Sequence, residues 1–88
     1  MDSYNVQFAK SAIKDYDNYI LKNEKLKHKF DNLIVSIFED GYFVGIGQPE
    51  PLKFGYSGYW SRRLNHNDRL IYTVANDKVL IISVKGHY

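Results

Sequence analysis

The chain has 88 residues, of which 44% are hydrophobic and 16% aromatic, and its formal net charge is +2. This length allows one domain, residues 1–88, and the apolar content excludes an intrinsically disordered chain. The lack of cysteine excludes a disulfide framework, a thiol nucleophile and a cysteine-based metal site. The N-terminus has no signal-peptide pattern, and no apolar run approaches the roughly 20 residues of a membrane span. We therefore expect a soluble, cytoplasmic protein with no membrane partner.

The charge is distributed unevenly along the chain. Residues 1–49 carry six lysines and seven acidic residues, whereas residues 50–88 carry six basic and three acidic residues. All three arginines, at positions 62, 63 and 69, lie in the second half. Arginine binds phosphate through a planar fork of donors. The cluster favours a phosphate-binding surface, although arginines on the solvated face of a strand would give the same pattern.

The first half of the chain predicts one strand followed by two helices. Residues 4–9 alternate between apolar and polar, as in a short strand. Apolar residues then recur at helical spacing between Ser11, a candidate N-cap, and Asn23, a candidate stop. The second helix is predicted by a single apolar stripe, formed by Leu26, Phe30, Leu33, Ile34, Ile37 and Phe38.

The second half predicts a loop and then three strands. Gly41 ends the second helix, and glycine and proline punctuate residues 41–51. The Gly45-Ile46-Gly47 segment lacks the lysine and Ser/Thr of a Walker motif, which excludes a nucleotide site there. Strands are expected over 59–64, 69–74 and 79–84, the last of them apolar enough to be buried on both faces. The predicted order is β-α-α-β-β-β, an α+β fold with two N-terminal helices packed on a small antiparallel sheet.

Strand alternation assigns neighbouring arginines to opposite faces. Arg62 shares a face with Trp60 and Leu64, whereas Arg63 lies on the other face with Ser61. If Arg63 faces a phosphate, Arg62 does not. We therefore expect replacement of Arg62 to be the milder of the two.

Three residues of the second half could together perform RNA transesterification. Glu50 lies on the loop that enters the sheet, Arg69 begins a strand, and His87 follows the last strand. Consecutive antiparallel strands place the start of one beside the end of the next, so Arg69 and the segment after Val84 can be neighbours. A base, a fixed cation and an acid are sufficient for this reaction.

The same chemistry requires no metal or other cofactor, and the sequence has no obvious cluster of metal ligands. On spacing alone, each of the three residues also has a simpler interpretation. Glu50 could be a solvated loop acid, Arg69 a cross-strand salt-bridge partner, and His87 an ordinary terminal residue.

Four blocks of sequence at consistent intervals resemble a known family. They are GIGQPEPLK at 45–53, SGYWSRRL at 57–64, RLIY at 69–72 and HY at 87–88. They closely resemble the YoeB/Txe group of the RelE/ParE toxin superfamily, whose pattern runs G-x-G-x-P-E-x-L-K, S-G-x-W-S-R-R, H-R-L-x-Y and a terminal H-Y. The match is dense across 45–88, and across 1–44 it is limited to the order of elements.

The resemblance implies the toxin of a type II toxin–antitoxin pair, which cleaves mRNA on the ribosome and is held inactive by a cognate antitoxin of the YefM/Axe type. It implies that Glu50 is the general base, His87 the general acid and Arg69 the residue that stabilises the transition state. The implied phosphate- and nucleotide-binding residues are Lys53, Arg63 and Tyr88. No cofactor is implied, and homodimer formation is left open.

Two positions depart from the family pattern. Asp68 stands where the family usually has histidine, and Gly86 stands where a bulkier residue is common. By alternation Asp68 should point away from Arg69, so we expect little effect, whereas Gly86 could loosen the tail that carries His87.

Two other functions stay open. The ParE branch shares this fold but acts on DNA gyrase, and retention of the Glu-Arg-His trio disfavours it. A catalytically inactive domain that only binds an antitoxin is the third alternative.

Overall fold

The computed structural model describes residues 4–53, 55 and 58–86, so His87 and Tyr88 lie outside the described residues. The elements in this part of the chain are β1 (Val6–Phe8), α1 (Lys10–Asp15), α2 (Glu24–Glu39), β2 (Glu50–Pro51), β3 (Tyr59–Arg63), β4 (Arg69–Ala75) and β5 (Lys78–Ser83). Helix α1 continues directly into a π-helical segment over Tyr16–Ile20. The predicted α+β class, with two helices packed on a sheet, is confirmed.

Helix α2 buries the stripe that its sequence predicts. Five of the six stripe residues are buried and Phe38 is half-buried. Asn23 ends the first helical region and also caps the second, because its side chain accepts a hydrogen bond from the Leu26 amide at 3.2 Å. Ser11 is not the N-cap of the first helix, which begins one residue earlier, at Lys10.

The sheet has the strand order β1-β5-β4-β3-β2. The β2–β3, β3–β4 and β4–β5 pairs are antiparallel, but β1 pairs with β5 in parallel. The expectation of a purely antiparallel sheet is therefore wrong at one edge. Parallel neighbours need a long connection, and the two helices and the β2–β5 meander supply it. The short strand β2, which pairs alongside β3, is also absent from the sequence-based order.

The helices cover one face of the sheet, where side chains of α2 form a single core with inward residues of β4 and β5. Strand β5 is consequently buried on one side only. Val79 and Ile81 are fully buried, whereas Leu80 and Ile82 are half-buried on the other face. The expectation of a strand buried on both faces is wrong, because the helices supply a single covering layer. None of the described helices is long and apolar enough to cross a membrane.

Candidate active site

The face of the sheet opposite the helices, which we call the open face, gathers the predicted functional residues of three strands. Glu50 pairs with Ser61, and Arg63 pairs with Arg69. Directly paired residues of an antiparallel ladder project on the same side. Arg62, the neighbour of both Ser61 and Arg63, is fully buried in the core. Strand pairing therefore places Glu50, Arg63 and Arg69 together, away from the core.

Glu50 and Arg69 are in direct contact on the open face. An oxygen of the Glu50 carboxylate, Oε1, lies 3.3 Å from Nη1 of Arg69, and their side chains are 61% and 23% exposed. Ion pairs this accessible contribute at most about 1 kcal/mol to stability. Glu50 lies in β2 rather than on a loop, so pairing with β3 fixes its backbone.

A second guanidinium group lies next to Arg69, because Arg63 is directly opposite it across the β3–β4 pair. Lys53 is exposed but lies farther along the sheet, since it follows β2 and the preceding Leu52 amide donates to the Tyr59 carbonyl at 2.9 Å. Like charges placed directly opposite each other destabilise a sheet. An arrangement of this kind suits an anionic ligand.

Beside the open face, at the turn between β3 and β4, lies a cleft of about 530 Å³ that shares Arg63 and Arg69 with it. Lys29 of α2 and His66 of the turn also line this cleft, and neither stands out in the sequence analysis. Lys29 belongs to a run of helix charges that resembles a solvated face. His66 lies three residues from both Arg63 and Arg69 on the turn between their strands, whereas only tertiary packing relates Lys29 to the site.

No group of three or more His, Cys, Asp or Glu side chains in the described ranges could hold a metal ion. The expectation that the chemistry needs no metal stays a prediction, since His87 lies outside those ranges.

Arg62 is fully buried, and its guanidinium holds the loop that leads to β2. Nε donates to the Tyr72 hydroxyl at 3.0 Å, and Nη1 donates to Ser36 Oγ at 2.9 Å. The remaining donors bind backbone carbonyls of the loop, those of Gly41 at 2.9 Å, Tyr42 at 3.4 Å, Val44 at 2.7 Å and Ile46 at 3.1 Å. Burial raises the pKa of Tyr72, and the neighbouring Arg62 charge opposes that rise.

This loop sets the position of Glu50. The Arg63 amide donates to the Gly47 carbonyl at 2.7 Å, which joins the end of the loop to β3 three residues before Glu50. Gly47 has a φ of 84°, and a Cβ atom there would lie 2.6 Å from Cδ2 of Leu33. Strand alternation correctly places Arg62 and Arg63 on opposite faces of β3, but the face that carries Arg62 packs against the core. The expectation that Arg62 is the less consequential arginine is therefore not supported by its surroundings.

The chain returns to Arg69 after its last strand, as antiparallel order predicts. The Arg69 amide donates to the Gly86 carbonyl at 2.8 Å. Asp68 points away from Arg69, as expected, but it is buried, and one of its oxygens accepts from the Gly86 amide at 2.7 Å. The described chain thus ends beside Arg69. His87 and Tyr88, which follow, lie outside the described residues.

The fold recurs in solved toxin structures. The YoeB–YefM complex from Staphylococcus aureus matches with a TM-score of 0.90 and 41% identity, covering 99% of this chain and 100% of that one. The YoeB dimer from the same organism matches with a TM-score of 0.89 and 40% identity, over 99% and 100% of the two chains. The fold is thus that of a bacterial toxin of the toxin–antitoxin class.

Sequence comparison specifies the family. The model of the YoeB-like toxins of bacterial type II toxin–antitoxin systems matches residues 8–88. Toxin YoeB of Synechocystis sp. is 45% identical over 83 residues, which are 94% of this chain and 95% of that relative. The chain belongs to the YoeB-like toxin family.

Proposed function

We propose that this toxin is a ribosome-dependent endoribonuclease that cleaves mRNA without a metal ion and so inhibits translation. The observation that carries the proposal is the contact of Glu50 with Arg69 on an open, basic face, with Arg63 directly opposite. A carboxylate can serve as the base, and clustered guanidinium groups can stabilise the charge that develops on a phosphodiester during cleavage.

In this mechanism Glu50 takes the proton from the 2′-hydroxyl of the nucleotide before the cleavage site. The 2′-oxygen attacks the adjacent phosphorus, and Arg69 stabilises the charge that develops on the phosphorane oxygens. Arg63 and Lys53 bind the flanking phosphates, since both are exposed and cationic. The bond from phosphorus to the 5′-oxygen breaks, which leaves a 2′,3′-cyclic phosphate.

We assign the proton for the departing 5′-oxygen to His87 and the positioning of the nucleotide to Tyr88. Histidine suits this role because its ordinary pKa lies near neutrality. The proposal gains support from the hydrogen bond between Arg69 and Gly86, the residue immediately before His87.

The partners follow from the family and from the S. aureus structures, one a complex with YefM and another a dimer. We propose a YefM-like antitoxin as the inhibitory partner, and ribosomes carrying mRNA as the target. A homodimer is the corresponding proposal for the free toxin.

The chemical ends of the products test the mechanism. The purified toxin is added to ribosomes programmed with a defined mRNA, and the fragments are analysed by mass spectrometry. We expect a 2′,3′-cyclic or 3′-phosphate on one fragment and a 5′-hydroxyl on the other. The product ends are a better test than removal of metal ions by a chelator, because the chelator would also remove the magnesium that ribosomes need. Fragments with 5′-phosphate and 3′-hydroxyl ends would contradict the mechanism.

The matched variant is Glu50→Gln, which keeps the size of the side chain but removes the base. We expect it to lower the cleavage rate by about 10²–10⁴-fold, the typical contribution of general base catalysis. If induced cells lose DNA supercoiling before translation stops, the gyrase alternative replaces the nuclease proposal. If cells are unaffected although antitoxin still binds, the domain is an inactive binding module.

A further inference from the structure

Asp68, which precedes β4, and Gly86, which follows β5, are in contact with each other. One carboxylate oxygen of Asp68, Oδ1, accepts a hydrogen bond from the Gly86 amide at 2.7 Å. The other oxygen, Oδ2, accepts from the hydroxyl of Tyr19. Asp68 is only 5% exposed, so both bonds form in a region of low dielectric, where they are strong.

Further contacts hold Asp68 and Tyr19 in place. The Asp68 backbone is fixed by Asn65, whose Oδ1 accepts from the Asp68 amide at 2.7 Å. The ammonium group of Lys85 lies 5.1 Å from the centre of the Tyr19 ring, within range of a cation–π interaction. We call Tyr19, Asp68, Lys85 and Gly86 the tail clamp.

The π-helical segment brings Tyr19 to this place. The Leu21 amide donates to the Tyr16 carbonyl, five residues earlier, at 2.9 Å. A single π turn rotates the residues that follow relative to a regular α-helix. Such turns are uncommon and occur frequently at functional sites. In this protein the π turn carries the Tyr19 hydroxyl, which donates the second hydrogen bond to the Asp68 carboxylate.

We propose that Asp68 is a positioning residue, which acts through the tail clamp to fix the direction in which the chain leaves Gly86 toward His87. This inference rests on the proposed function, in which His87 donates a proton to the leaving 5′-oxygen. Gly86 has a φ of 79°, a conformation that glycine adopts readily and other residues rarely. An unrestrained glycine before a general acid would let that acid sample many positions.

The clamp fixes the backbone of Gly86 before substrate binds. The Gly86 amide is held by Asp68 and its carbonyl by the Arg69 amide, so both polar groups of this residue are fixed. A general acid must lie within hydrogen-bond reach of the group that it protonates. Restraining the preceding residue therefore favours the rate of the chemical step rather than the affinity for RNA.

The test separates rate from affinity and observes the clamp directly. Asp68→Ala removes both hydrogen-bond acceptors, whereas Asp68→Asn keeps an oxygen that can accept from Gly86. We expect Asp68→Ala to lower the single-turnover cleavage rate on programmed ribosomes by about 10–100-fold, because misplacement by about 1 Å can cost 10²-fold. The ribosome concentration at half-saturation should stay within about twofold, and Asp68→Asn should restore most of the rate.

Hydrogen exchange of the Gly86 amide is the second measurement and does not depend on activity. The amide should be protected in the parent and in Asp68→Asn, and should exchange at least about tenfold faster in Asp68→Ala. Tyr19→Phe keeps the ring that faces Lys85 but removes the hydroxyl, and should give intermediate values of both exchange and rate. Asp17→Ala, which removes an exposed carboxylate of the same π-helical segment, is the control and should match the parent.

An Asp68→Ala variant that cleaves at the parental rate, or that keeps the Gly86 amide protected, would overturn the proposal. If Asp68→Ala fails to fold, the cleavage rates of the parent, Asp68→Asn and Tyr19→Phe are compared with the exchange rates of their Gly86 amides. Cleavage that does not slow as Gly86 exchange becomes faster would overturn the proposal. A parent that does not cleave at all defeats the proposed nuclease function and, with it, the positioning role. Normal cleavage by the parent with no effect of Asp68 defeats only the positioning role.

Discussion

Arg63 lies directly opposite Arg69 in the register of β3 and β4, so two guanidinium groups share one face of the sheet. Glu50 is in contact with Arg69 and offsets part of this repulsion. The exposed arrangement keeps an electrostatic cost that an RNA phosphate would relieve. We expect Arg63 and Arg69 to differ in what each contributes to stability and to the reaction.

Replacement of Arg63 should separate stability from binding. Arg63→Gln removes one of two opposed charges, so we expect an unchanged or slightly higher melting temperature. Binding to a short RNA oligonucleotide should weaken, and the slope of log K against log salt concentration should fall by about 0.7–0.9, the share of one phosphate contact. A melting temperature several degrees lower, or an unchanged salt slope, would show that Arg63 is structural.

Replacement of Arg69 should affect the chemical step. Arg69→Ala is expected to lower ribosome-dependent cleavage by about 10²–10³-fold, the scale seen when one preorganised charge stabiliser is removed. Stability should change by no more than about 1 kcal/mol, because the lost ion pair with Glu50 is exposed. Lys78→Ala, at an exposed cation of β5, is the control. A loss of cleavage below about tenfold would argue against the role of Arg69.

Arg62 should govern folding rather than catalysis. Arg62→Ala removes all the hydrogen bonds that the buried guanidinium donates to Tyr72, Ser36 and the part-buried loop carbonyls, and hydrogen bonds to a charged group contribute about 1.5–3 kcal/mol each. We expect the free energy of unfolding in urea to fall by at least about 3 kcal/mol. Arg62→Lys should not restore it, since an ammonium group cannot reproduce the planar fork. Stability within 1 kcal/mol of the parent would contradict this account of the loop.

The terminal histidine can be tested without disturbing the core, because the buried residues of β5 and its extension end at Val84. His87→Gln keeps hydrogen-bonding capacity but removes the titrating proton, and should lower cleavage by about 10²–10⁴-fold. Circular dichroism and melting temperature should stay close to those of the parent. Deletion of His87 and Tyr88 should abolish toxicity while antitoxin binding persists. Full toxicity of His87→Gln would exclude His87 as the acid.

The tail clamp predicts a pH dependence of stability. Burial raises the pKa of Asp68, but hydrogen bonds from Gly86, Tyr19 and Asn65, with the nearby Lys85 charge, outweigh it and hold the pKa below its usual value of 3.8. A lowered pKa in the folded state means that the unfolded state binds the proton more tightly. The contribution of Asp68 is therefore complete well above pH 3.8 and is lost as the pH falls through the lower folded-state pKa.

The measurement compares the parent with Asp68→Asn in urea at several pH values. The stability advantage of the parent should be constant near neutral pH and shrink below about pH 5. The difference in unfolding free energy between the two proteins cancels the pH dependence that comes from the carboxylates they share. An advantage that is independent of pH down to strongly acidic conditions would contradict the role assigned to the carboxylate charge.

Periodicity in the sequence was sufficient for most of the fold. The apolar stripe of α2 and the separation of Arg62 from Arg63 follow from local geometry, which repeats every 3.6 residues in a helix and every two in a strand. Antiparallel strand order also predicted that the segment after Val84 can lie beside Arg69, and the structure shows Gly86 there.

What periodicity could not decide is which of two faces becomes the core. That choice depends on where the helices pack, and it turns Arg62 from a surface charge into a buried residue that holds the loop before Glu50. Tertiary structure alone also joins Asp68 to Tyr19, 49 residues away in the chain, and adds Lys29 to the cleft beside Arg69. Local sequence determines the direction of a side chain relative to its own backbone. The residue that this side chain contacts belongs to another element, and the packing of the whole chain sets the distance between the two.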